Sequence, residues 1–126
     1  MTTFTVPLPL RDLSSNGAHG HWTKTAKARA EYRLESSVHA ANPLSFRPVP
    51  NRVRLSLTFC IKGGRAAGRY QPRDASNALS AFKSGIDGLV DAGMCPDDSR
   101  KHLTLGAIEI DSKRGPFVEC TVEVLE

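Results

Sequence analysis

The sequence predicts a single α/β (α+β) domain, a small mixed β-sheet packed with two helices in the order β-α-β-α-β-β. Three observations predict it. Residues 53–62 alternate Val53, Leu55, Leu57, Phe59 and Ile61 with Arg54, Ser56, Thr58, Cys60 and Lys62, the period-two pattern of a half-buried strand. Residues 74–92 carry apolar side chains three and four apart at Ala78, Leu79, Phe82, Ile86, Leu89 and Val90, the pattern of an amphipathic helix. Two further alternating stretches, 103–110 and 118–124, follow with only a turn between them. A length of 126 residues suits one domain, 1–126, that buries enough surface to fold alone.

Taken in order, residues 4–10 alternate apolar side chains with threonine or proline, and the two prolines suit an edge strand. Ser14, Ser15, Asn16, Gly17 and Gly20 then break the chain into a loop. Thr23 or Thr25 is placed to cap a helix running to about residue 40. Ala26, Ala30, Leu34 and Val38 are expected inward, leaving Lys24, Lys27, Arg29 and Arg33 on its other sides. Asn42 and Pro43 end it, and a proline-rich connector reaches Pro50. After the alternating strand comes the loop GGRAAGRYQPR, rich in glycine and carrying Arg65, Arg69 and Arg73. The Asp74 helix is expected to run to about residue 92, with Gly93 ending it. In 103–110 the alternation changes phase near Gly106, which predicts a bulge there. A turn over 113–116 leads into the last strand.

Several function classes drop out. No apolar run approaches the ~20 residues of a membrane span, and MTTFTVPLPL has neither a basic n-region nor a small-residue cleavage site, so no signal peptide is expected. Cys60, Cys95 and Cys120 form no CxxC and no zinc spacing, which points to structural thiols in a reduced, cytoplasmic protein. GxxxxGK[ST], GxGxxG and GxSxG are all absent. The charge is unevenly placed. Residues 11–73 hold twelve Lys/Arg against three Asp/Glu, whereas 74–126 hold five against ten. A basic half suited to a polyanion, joined to an acidic half suited to a metal, is the layout a nuclease requires; ordinary charge scatter on a solvated surface is the plain reading beside it.

Asp74, at the start of the second helix, and the Asp97/Asp98 pair beyond its end are the candidate oxygen ligands for a hard divalent cation. Each has a plain structural reading beside it. Asp74 suits a helix N-cap, and Asp97 and Asp98 after Pro96 suit a turn. Asp87 lies thirteen residues along from Asp74, too far to share its metal, and reads as a surface or supporting group. Lys83 reads as either a catalytic cation or a solvated helix residue. His19, His21 and Trp22 form a group without a third zinc ligand. Trp22 suits packing over the sheet or stacking on a base.

Together, the PLPL strand, the Asn/His/Trp loop, the basic helix, RDASN, and DGLVDAGMCPDDS resemble the RusA family of Holliday-junction resolvases, small endodeoxyribonucleases of phages and prophages. The resemblance covers residues 4–123. It implies a homodimer that binds branched DNA, the four-way junction above all, and cuts it with Mg²⁺, or with Mn²⁺ as a substitute. It implies that Asp74 and Asp98 are catalytic metal ligands, with Asp97 beside them. The family's helix lysine falls on Ser80 counted from Asn77, or on Lys83 counted back from Asp87. The family pattern Asp-x-Asp-Asn reads Asp-Ala-Ser-Asn here, so Ser76 replaces a carboxylate and Ser76, Asn77 or Asp97 is left to complete the shell. Arg65, Arg69, Arg73, Lys24, Lys27, Arg29, Arg33 and Trp22 are the expected DNA contacts. A branched- or single-strand-binding protein with weak or no cleavage is the alternative that Ser76 raises.

Overall fold

The computed structural model describes residues 1–14 and 22–126, with the backbone alone for 22–24. Strands β1 (Thr2–Val6), β2 (Val53–Cys60), β3 (Leu103–Asp111) and β4 (Phe117–Val124) form one sheet in the order β1-β4-β2-β3. β4 runs antiparallel to β1 and β2, and β3 runs parallel to β2. A parallel neighbour requires a crossover, supplied by helices α2 (Ala75–Ala81) and α3 (Lys83–Asp91). Helix α1 (Trp22–Ala40) packs against α3, and a 3₁₀ turn (Arg11–Leu13) precedes it. The mixed α+β architecture is therefore the one that periodicity predicts. Among the described residues no helix is long and apolar enough to cross a membrane.

The sheet has one dry face and one polar face. Val53, Leu55, Leu57 and Phe59 of β2, Val118, Cys120 and Val122 of β4, and Phe4 and Val6 of β1 are buried. Arg54 and Glu123 pair at 2.7 Å between neighbouring strands, and both side chains are more than 40% exposed. The bulge expected at Gly106 is present. Leu55 pairs with Leu105 but Leu57 pairs with Ile108, so β3 advances one residue further than β2. That extra residue shifts the inward positions of β3 from odd to even numbers. Ile108 and Ile110 thereby join the core, while Leu105 is 42% exposed.

Three expectations need correction. The first strand covers Thr2–Val6 rather than 4–10; Pro7 follows it, and Leu10 makes only an isolated bridge to Arg69. In α1 the inward face is Ala28, Tyr32, Ser36 and Ala40, whereas Leu34 and Val38 are each 65% exposed. The two stripes share a period of four and lie about 200° apart around the helix, so periodicity cannot choose between them. Packing chooses. A Cβ on Gly85 would meet Tyr32 at 2.9 Å, and one on Gly88 would meet Ser36 Cβ at 2.9 Å and the backbone of Arg33 and Ser37. The glycines of α3 thus let α1 come very close, and only a stripe with a small residue at 36 fits there. Tyr32, fully buried, donates a 2.6 Å hydrogen bond to the Pro7 carbonyl.

The third correction concerns the single helix expected over 74–92. It is two helices, broken at Phe82, whose φ of −90° and ψ of 0° fall outside the α region. The Phe82 ring stands edge-on to Tyr32 at 5.9 Å and to Phe59 at 5.7 Å. The apolar spacing runs through the break unchanged, which is why it does not show in the pattern. Gly93 ends α3 with φ +103°, as expected of a left-handed C-terminal residue. Because backbone as well as side chain blocks a Cβ at Gly88, Gly88→Ala should destabilise the protein by about 1–3 kcal/mol in urea unfolding. A change within about 0.5 kcal/mol would refute the close α1–α3 contact.

Candidate active site

Asp74 precedes α2 in an extended conformation and caps it. One carboxylate oxygen accepts from the Asn77 backbone N–H at 2.8 Å, and the other accepts from the Asn77 side-chain amide at 2.9 Å. A carboxylate used in this way satisfies an otherwise orphaned helix donor and adds favourable charge at the positive end. Asn77 therefore holds Asp74, and Ser76 is exposed beside it.

Asp97 is held by its own turn. Its Oδ1 accepts from the Ser99 N–H at 2.8 Å, while Oδ2 lies 3.9 Å from His102 Nε2. Hydrogen bonds from Ser99, side chain first and backbone second, hold its carboxyl below the ordinary range. The Cys95 thiol donates to the Asp97 carbonyl at 3.1 Å and, pushed up by burial to about 11, is neutral at pH 7. Asp97 and its neighbours thus form a rigid turn that presents Asp98 to solvent.

Asp98 lines an open pocket of about 680 Å³ together with Lys83 and Asp87 of α3 and Arg100. Leu79, Ile86, Leu103 and Leu105 form its apolar floor. The helix side of the pocket uses Leu79 of α2 and positions 83, 86 and 87 of α3, the last three sharing one face at helical spacing. The strand side is the first part of β3, the edge of the sheet. Asp74 is not among the residues lining this pocket. The other carboxylate lining this pocket is Asp87, which its distance along the helix from Asp74 marked as a surface or supporting group. The signal for it was present: Lys83 and Asp87 are four apart, so whatever meets one meets the other.

The expected DNA contacts divide sharply. Arg69 is bridged to Leu10 by backbone, and its guanidinium grips both oxygens of Glu35 at 2.7 and 2.9 Å and the Leu8 carbonyl at 3.2 Å. It ties the glycine-rich loop to α1. Arg33 likewise makes a two-pronged pair with Asp91 at 2.7 and 2.9 Å. That pair, hydrogen bond first, holds the Asp91 carboxyl below its usual range. Lys27, Arg29, Arg65 and Arg73 are exposed. His19 and His21 lie outside the described residues, as do the side chains of Trp22 and Lys24.

Magnesium demands little of a protein: one or two carboxylates, several waters and the substrate's own phosphate oxygens. Asp87 and Asp98, which line one pocket, are the carboxylates that could meet that demand there. Among the described residues there is no group of three or more His, Cys, Asp or Glu placed to hold a metal, so a larger all-protein cage is not built from them. No protein-family model matches the chain, and no curated protein matches it significantly. The two aspartates can be told apart by stability. Asp74→Ala should cost about 1 kcal/mol through the lost cap, and Asp98→Ala should stay within about 0.5 kcal/mol. Equal losses in urea unfolding would contradict the separation of roles.

Proposed function

We propose that this protein is a metal-dependent endodeoxyribonuclease acting on branched DNA, four-way junctions in particular, in recombination and repair. The observation that carries the proposal is the pocket shared by Asp98, Asp87 and Lys83. The resemblance to the RusA family and the basic first half of the chain support it. A homodimer goes with the same reading and rests on that resemblance, and a cytoplasmic location goes with it on the spacing of Cys60, Cys95 and Cys120.

In this mechanism Asp98 and Asp87 hold the ion, and the rigid turn at Asp97 fixes the approach of Asp98. Mg²⁺, or Mn²⁺ in its place, supplies Lewis acidity toward the phosphate and a lowered pKa for an attacking water. Lys83 lies on the same wall and stabilises negative charge developing on the phosphate oxygens. Asp74 acts at one remove, by capping α2, the helix that precedes the one carrying Lys83. Lys27, Arg29, Arg65 and Arg73 grip strand backbones without reading bases, which suits a target defined by shape. Affinity then falls steeply with salt.

A second reading, branched-DNA binding without efficient cutting, is favoured by Ser76 standing where the family has a carboxylate and by Asp74 being tied to Asn77. Incubation with a synthetic four-way junction and Mg²⁺ separates the two. Cutting by the wild type, its loss in Asp98→Asn and Asp87→Asn, and a fall of roughly 10²-fold in Lys83→Ala are expected. Asp74→Asn should retain much of the activity. Cleavage unchanged in both Asp98→Asn and Asp87→Asn would overturn the assigned pocket, and binding with no nicking by the wild type would favour the second reading.

A further inference from the structure

β3 is an edge strand, and the pocket that Asp98 lines is built against that edge. Its floor of Leu79, Ile86, Leu103 and Leu105 offers aliphatic surface from which neither a phosphate nor a hydrated cation gains. Polar groups of the backbone border that floor. The Val53 N–H bonds to the His102 carbonyl at 2.9 Å, and Val53 stands opposite Leu103 in the parallel pair. In such a ladder alternate residues turn their N–H and C=O to the same neighbour. His102 and Thr104 therefore serve β2, and Leu103 and Leu105 turn theirs to the free side. The Leu103 N–H is taken by the Ser99 carbonyl at 2.9 Å. Left in a row at the pocket are the Leu103 carbonyl and the N–H and carbonyl of Leu105: acceptor, donor, acceptor.

An occupant that uses both features has a flat apolar face and adjacent donors and acceptors on its rim. A nucleobase is built this way. Adenine and cytosine donate an amino hydrogen to the Leu103 carbonyl and accept the Leu105 N–H at the neighbouring ring nitrogen. Thymine and guanine accept the Leu105 N–H at a carbonyl and donate a ring N–H to the Leu105 carbonyl. Either way the base uses its Watson–Crick edge, which a duplex keeps occupied. An added β-strand also pairs with a sheet edge, but the bulge after Leu105 breaks the spacing that a longer ladder needs. We infer that this pocket binds an unpaired nucleobase of any type, its edge on Leu103 and Leu105 and its face on Leu79 and Ile86. That the base belongs to the strand being cut rests on the nuclease reading; the base site itself does not. On that reading the site selects a nucleotide left unpaired at a branch, beside the phosphate that Lys83 and Asp98 meet.

The test titrates the full chain, in EDTA, with a single-stranded thymidine tetranucleotide and with the same tetranucleotide methylated at thymine N3. NMR follows amide and methyl resonances. Saturable shifts at the Leu105 amide and at the Leu79 and Ile86 methyl groups are expected. Methylation removes the ring N–H that meets the Leu105 carbonyl without changing the charge, and should weaken binding roughly tenfold. Leu105→Pro removes the donor at an edge position, where proline is tolerated, and should weaken binding roughly tenfold. Leu105→Ala keeps the N–H and should lose less. No shift at residues 103–105, equal binding of the methylated tetranucleotide, or equal losses in the two variants would overturn the site. Shifts there that grow with protein concentration alone would also overturn it and give the edge to a second copy of the chain. Junction cutting with Mg²⁺, assayed alongside, keeps the two claims apart. Shifts without cutting by the wild type would leave the base site standing and remove the nuclease reading, and cutting without shifts would do the reverse.

Discussion

Phe82 is the point on which the rest of the structure turns. Its ring is fully buried and meets Tyr32 of α1 and Phe59 of β2 edge-on, so one side chain joins the first helix, the crossover and the central strand. Such edge-to-face pairs contribute about 0.5–1.5 kcal/mol each beyond the area they bury. The larger effect is geometric. The ring lies at the break between α2 and α3, and its position sets the direction in which the next residues, Lys83 and Ser84, leave the helix.

The pocket follows from that placement. The face of α3 at 83, 86 and 87 looks toward β3 and Asp98. The charge of the chain is divided accordingly. Arg69 and Arg33 are held in ion pairs with Glu35 and Asp91 and hold the loop and α1 in place. Lys27, Arg29, Arg65 and Arg73 are exposed, and on the proposed reading they are the cations a polyanion would meet. Asp74 and Asp97 have local structural partners, whereas Asp98 presents itself at a pocket.

Much of the fold was legible in the residues. The alternation of β2, the phase change at Gly106 and the stop at Gly93 each follow from a local rule, and each is where it was expected. The failures lie where local rules are silent. Two stripes of α1 have equal periodicity, and only the glycines at 85 and 88 select the one containing Tyr32 and Ser36. The break at Phe82 leaves the apolar spacing intact. In the candidate site Asp98 and Lys83 line one pocket, and Asp87, set against Asp74 along the helix in the sequence, lines it too. It shares the pocket with Asp98, which the loop after α3 returns, and sequence separation carries no trace of that return. The ion pairs that hold Arg33 and Arg69 were hidden for the same reason.

Whether and where a divalent cation binds decides between this arrangement and one centred on Asp74. Mn²⁺, titrated into the full chain at substoichiometric levels, broadens the amide resonances nearest to where it binds. Broadening centred on Asp87 and Asp98, and lost in Asp98→Asn, is the expected result. Broadening centred on Asp74–Asn77, or spread evenly over the acidic surface, would contradict it.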